Sequence, residues 1–186
     1  YNAYLIQGKD KTALLDTADP IAIQALLAQL ESVPNVDYIV AHHAEQDHSG
    51  AIPDVLNKYK NAKVVTNPNA KRLLIDLLNI PDEKFITIED GETLSLGDKT
   101  LKFIYTPWVH WPETMCSYLQ EDKILFSCDF FGAHLATSDL FANNDMRVYE
   151  AAKVYFSVIM MPFRAAIQKN LEKLKDYDIS MIAPSH

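Results

Sequence analysis

Apolar residues recur along the chain in short runs with a two-residue alternation, and turn residues separate them, so the chain reads first as a set of strands. Residues 1–7 and 12–16 are β-favouring runs joined by Gly8-Lys9-Asp10-Lys11, a predicted hairpin. The period then changes. Ile23, Leu26, Leu27 and Leu30 share one helical face behind Asp19-Pro20, a cap followed by a first-turn proline, and the helix is expected to end near Glu31. A strand at 36–41 follows. Ser49-Gly50 is expected to cap a helix to about Lys60, 62–66 is a strand, and 68–78 is a helix that stops before Pro81. Three further strands are predicted at 84–89, 93–96 and 100–106, with Gly91 and Gly97-Asp98 as turns. A second hairpin, 117–120 with 123–127, turns at Glu121-Asp122. Helices at 145–160 and 164–175 and a strand at 179–183 complete the pattern.

Strands outnumber helices and the two kinds interleave, so the pattern predicts an α/β architecture of two sheets with helices outside. Four strands lead to residues that carry chemistry: 36–41 to His43, 100–106 to His110, 123–127 to Asp129 and 179–183 to His186. The first exit is the densest, with His42, His43, Glu45, Asp47 and His48 inside seven positions. Loops from one rim can bring all four exits to a single place.

Composition narrows the partners. The 186 residues suit one domain with a real core, and 17 Lys plus Arg against 25 Asp plus Glu give a formal charge of −8, which argues against nucleic acid. Neither a leader nor an apolar run long enough to span a bilayer is present, and the chain reads as soluble and cytoplasmic, with no membrane partner. Cys116 and Cys128 are expected as buried free thiols.

The donor types point to metal. If the loop stays extended, His43, Glu45 and Asp47 project to one side. Together with Asp129 they bring three carboxylates into one cleft, where like charges raise one another's pKa unless a counter-charge is supplied. Two divalent cations and a bridging hydroxide neutralise the set, so the charge count favours a dinuclear centre. Mixed carboxylate and imidazole donors with open positions suit iron, with manganese the other candidate, whereas zinc sites lean on His and Cys. Asp129, alone on its loop, is the expected bridge. Neither cysteine sits in the spacing of an iron–sulfur ligand.

The run His43-Ala44-Glu45-Gln46-Asp47-His48-Ser49-Gly50, followed by His110, Asp129 and His186, resembles the metal-binding pattern of the flavo-diiron proteins, or A-type flavoproteins. The resemblance extends to 1–6, 106–115, 125–129 and 183–186 and covers most of the chain. It implies a metallo-β-lactamase-like, four-layer αβ/βα sandwich over 1–186 in which the first motif reads His-x-Glu-x-Asp; hydrolytic relatives read His-x-His-x-Asp-His. It further implies one iron on His43, Glu45 and His110, another on Asp47 and His186, and Asp129 between them. His48, which matches a ligating position of the zinc relatives, is left open as a seventh ligand. The implied activity is reduction of O2 to water, of NO to N2O, or of both. Two irons hold two electrons, enough to join two NO molecules, whereas O2 needs four, so a flavin must stand close. The family supplies it as FMN on a flavodoxin-like domain after residue 186, from the other subunit of a head-to-tail homodimer, with an external donor such as rubredoxin. The competing class is a dinuclear zinc hydrolase of the same superfamily, against which Glu45 argues.

Around the site, Trp108 and Trp111 are expected as core packing that also dries the centre. His42 should point away from His43 and be satisfied elsewhere. His134 reads as a loop residue, Tyr1 and Tyr4 as strand residues, and Met160-Met161 as core.

Overall fold

The structure is a computed structural model and describes residues 1–142 and 146–186. Its first sheet contains β1 (Tyr4–Gln7), β2 (Thr12–Leu15), β3 (Tyr38–Val40), β4 (Lys63–Thr66) and β5 (Phe85–Thr87) in that order. β1 and β2 are the predicted antiparallel hairpin, and the other pairings are parallel. The second sheet holds β6 (Thr93–Ser95), β7 (Thr100–Tyr105), β8 (Met115–Leu119), β9 (Ile124–Cys128) and β10 (Met181–Pro184) in the order β10-β9-β8-β7-β6. Only β9 and β10 pair in parallel there.

Alternation along the strands sorts side chains into three apolar layers, because neighbouring residues of a strand face opposite sides of the sheet. Ala13, Leu15, Val40 and Val65 face inward, where they meet Phe103, Met115, Leu119 and Phe126 of the second sheet. Leu14, Ile39 and Val64 face outward against α1 (Ile23–Gln29), α3 (Ile52–Lys58) and α4 (Pro68–Leu78). Ile104, Cys116, Tyr118 and Leu125 face outward from the second sheet against α5 (Met146–Tyr155) and α6 (Arg164–Leu174). The result is the expected four-layer sandwich. Among the described residues no helix is long and apolar enough to cross a membrane.

The sheets approach closely at Gly8, where a Cβ would lie 2.2 Å from the Leu96 carbonyl oxygen. Gly8→Ala is expected to cost about 1–3 kcal/mol, read as a lower denaturation midpoint with an unchanged slope.

Several local expectations need correction. A single helical turn, α2 (Gln46–Ser49), precedes α3, and Ser49 caps neither: its hydroxyl donates to the Ala44 carbonyl at 2.8 Å. The predicted helix start at Asp145 lies outside the described residues, and α5 passes into a π-helical turn at Phe156–Met160 and a 3-10 turn at Met161–Phe163. Met160 is buried but Met161 is exposed, since the change of pitch at that point rotates it outward. Tyr1 lies before the first strand and packs edge-on against His186.

Candidate metal centre

Five of the metal-ligand candidates lie at strand exits. The loop after β3 carries His43 and Glu45, that after β7 carries His110, Asp129 follows β9 directly, and His186 follows β10. Asp47 departs from the extended geometry expected of it. Glu45 is extended at φ −61°, ψ 144°, and α2 begins at the next residue. Amide donation from Ser49 to the Glu45 carbonyl at 2.9 Å closes this turn. His43 and Glu45 therefore serve one place, while the turn carries Asp47 and His48 together to a second.

Each of the two places is a four-donor nest. In the first, His43 Nε2 and His110 Nε2 each lie 3.2 Å from Glu45 Oε2, and lie 3.5 and 3.1 Å from Asp129 Oδ2. In the second, His48 Nε2 and His186 Nε2 lie 3.5 and 3.3 Å from Asp47 Oδ2, and each lies 3.1 Å from Asp129 Oδ1. Asp129 thus gives one oxygen to each nest. His48, left open by the sequence, stands in the second nest as an equal of His186. Both nests carry two imidazoles, one carboxylate of their own and a share of Asp129.

The donor geometry fits metal ions. Bonds of about 2.0–2.2 Å at angles near 90–110° put adjacent ligand atoms about 2.8–3.6 Å apart, the range seen here. Both oxygens of Asp129, His48 Nε2 and Asp47 Oδ1 are buried without a well-directed hydrogen bond, although imidazole nitrogens stand close to both Asp129 oxygens. Buried polar atoms left in this way demand a partner, and atoms converging on a common point in each nest supply the place for one. Side-chain exposure grades from 0–2 % at His43, His48 and Asp129 to 14, 18 and 38 % at His110, Asp47 and Glu45, so the floor is dry and the mouth lies on the Glu45 side.

Electrostatics agree. Burial opposes a proton on His43, yet Glu113, Glu45 and Asp129 raise its pKa to about 10. Burial likewise opposes protonation of His110 and His186, and Asp129 with Glu45 or Asp47 raises each to about 9. Burial would raise Asp129, but His110, His186 and His48 hold it well below the usual carboxylate range. Hydrogen bonds from His110 and His43 hold Glu45 low as well. The cluster attracts cations, protons or metals alike, and a metal must displace the protons.

The surroundings differ from expectation in informative ways. His43 Nδ1 meets Glu113 Oε1 at 2.7 Å, and Glu113, fully buried, drew no notice in the sequence beyond its Trp-Pro neighbours. His42 faces away as expected, toward the inter-sheet core, where Asp16 Oδ2 and Ser117 Oγ take its ring nitrogens at 2.7 and 2.8 Å. Trp111 packs edge-on to His43 at 4.9 Å, as a drying side chain should. Trp108 is not core: it is 50 % exposed and stacks on Phe163, because its backbone turns at φ 64°. His134 is a loop residue that nonetheless lies edge-on to His186 and Tyr155, at 4.9 and 4.8 Å. Burial first, and then Asp129, push the buried phenol of Tyr155 far above its ordinary range.

The ODP family beta lactamase model matches residues 1–186. A type A flavoprotein of Rhodobacter capsulatus is 36 % identical over 193 residues, which cover 100 % of this chain and 44 % of the relative. A nitric oxide reductase of Moorella thermoacetica is 37 % identical over 194, covering 100 % and 48 %. The rubredoxin oxygen:oxidoreductase of Desulfovibrio gigas superposes with a TM-score of 0.93 at 31 % identity, over 99 % of this chain and 47 % of that one. The chain thus spans about half the length of the curated relatives it matches. Matched from end to end by the family model, the chain belongs to the ODP family of beta lactamases.

Proposed function

We propose that the chain is the metal-binding domain of a flavo-diiron oxidoreductase that reduces O2 to water, NO to N2O, or both. The observation that carries this reading is Asp129, whose two buried oxygens each face two imidazoles of a different nest at 3.1–3.5 Å without hydrogen-bonding them. His43, Glu45, His110 and Asp129 would hold one iron, and Asp47, His48, His186 and Asp129 the other. Bound iron supplies redox electrons and open positions for a small gas. The protein supplies the rest. His43, His48 and Asp129 form a dry floor, Trp111 shields His43, and the more exposed Glu45 leaves the mouth open to a diatomic molecule. Both reductions consume protons, and Tyr155 keeps its hydroxyl proton beside Asp129.

Relatives named nitric oxide reductase and rubredoxin oxygen:oxidoreductase support the reaction class. Glu45, where a zinc hydrolase would carry His, supports iron over zinc. On the same reading FMN rides on a flavodoxin-like domain, presented by the partner subunit of a head-to-tail homodimer, with a donor such as rubredoxin upstream. Exposed Trp108, Phe131, Phe156, Val158 and Met161 offer apolar surface for such a partner. Free, buried Cys116 and Cys128 suit a cytoplasmic setting.

Metal analysis after anaerobic purification tests the reading. About two irons per chain are expected from the two nests. Two zincs would move the chain to the hydrolases, and a chain that takes up no metal would remove the chemistry altogether.

A further inference from the structure

The two nests have matching donors but unequal support. Glu113 is, among the described residues, the one carboxylate outside the nests that pairs with a nest histidine. Its Oε1 meets His43 Nδ1 at 2.7 Å and accepts the Ala44 amide at 3.1 Å, while Oε2 is buried with no hydrogen-bond partner. Its backbone is held as well, since Asn67 Nδ2 donates to the Glu113 carbonyl at 2.6 Å while Asn67 Oδ1 caps α4 at Asn69 and Ala70. Its charge therefore bears on a single imidazole. A carboxylate on Nδ1–H fixes the tautomer that leaves the Nε2 lone pair free for metal, and it makes that nitrogen more basic. Asp16 stands within 4.8 Å of His48, but both its oxygens are engaged by His42, one by the backbone amide at 2.9 Å and the other by Nδ1 at 2.7 Å, and no carboxylate outside the nests pairs with His48, His110 or His186 among the described residues.

We propose that Glu113 is a positioning residue that makes the two metal positions inequivalent, so that the His43–Glu45–His110–Asp129 nest holds its ion more tightly than the Asp47–His48–His186–Asp129 nest. A more basic donor favours the higher charge, so the ion in the first nest is also the harder one to reduce. The inference rests on the two-metal reading of the nests.

The test is a titration of the metal-stripped full chain with cobalt(II), followed by Mössbauer spectra of the iron-loaded protein. Unaltered protein is expected to bind in two steps separated by at least about tenfold. Glu113→Gln keeps the volume and an acceptor for Nδ1–H but removes the charge; it should weaken the first step by about 10- to 100-fold and leave the second within about threefold. In the spectra one iron's quadrupole splitting should change and the other's should not. A merely structural role would weaken both steps together and shift both irons. Should Glu113→Gln fail to fold, Asp47→Asn decides: it lies in the other nest and must retain the tight first step. Two equal steps in the unaltered protein, or equal weakening of both steps by Glu113→Gln, overturn the inference and leave the two-metal reading standing. Absence of any cobalt binding overturns both.

Discussion

Asp129→Asn is expected to lower iron from about two per chain to one or none and to reduce O2 or NO consumption by at least about 100-fold, beyond what loss of an outer-shell partner costs. The carboxylate reaches one nest with Oδ2 and the other with Oδ1. An amide of the same volume keeps one carbonyl oxygen, and its NH2 group offers no lone pair to metal. One nest thus loses a ligand outright, and the other exchanges a charged donor for a neutral one. Asp47→Asn, which touches only the second nest, should cost one iron and spare the other. Metal analysis after gel filtration, together with gas consumption and a melting curve, separates loss of metal from loss of fold. An Asp129→Asn protein that retains two irons and near-normal turnover would end the assignment of Asp129 as the bridge.

Legibility in the sequence followed the range of the interactions. Strand positions rest on local alternation, and Leu14 against Ala13 and Leu15, or Ile39 against Val40, already sort the layers before any contact is known. The four strand exits were legible for the same reason, and with them six of the candidate ligands. His48 was not, because its place depends on whether the chain turns helical at Gln46. That turn is set by Ser49, through its hydroxyl to Ala44 and its amide to Glu45, a choice that no periodicity announces. Glu113 was invisible for a different reason. It works through His43, 70 positions away, and Asn67 holds it in place from a third element, so only the packed fold brings the three together. Trp108 beside His110 looked like core because tryptophan usually is; its left-handed backbone turns it out onto Phe163 instead.

The second large effect is an alkaline loss of stability in the metal-stripped protein that bound metal suppresses. In metal-stripped protein the folded values of His43, about 10, and of His110 and His186, about 9, stand above the ordinary 6.5 of the unfolded chain. Between those limits the folded state binds more protons than the unfolded state, so stability falls as pH rises. The stabilisation from these imidazoliums is fully present below about pH 6.5 and is lost as pH climbs through 9 to 10. Each histidine can contribute a slope of at most about 1.4 kcal/mol per pH unit, and their mutual repulsion makes the total smaller than the sum. Asp129 and Glu45 act in the opposite sense: with folded values held low, their contribution is present above the ordinary carboxylate range and is lost as pH falls toward those values. Stability of the stripped protein should therefore peak at about pH 5–6.5 and decline on the alkaline side. Bound metal neutralises this decline, because its imidazole ligands are already deprotonated, and loading releases protons, so affinity for the metal rises over the same interval. Urea denaturation of stripped and loaded protein at about pH 6, 7, 8 and 9 measures both slopes. A stripped protein as stable at the alkaline end as near neutrality, or one whose slope matches that of the loaded protein, would mean that these imidazoles do not carry the protons, and the charge balance drawn for the two nests would fail with them.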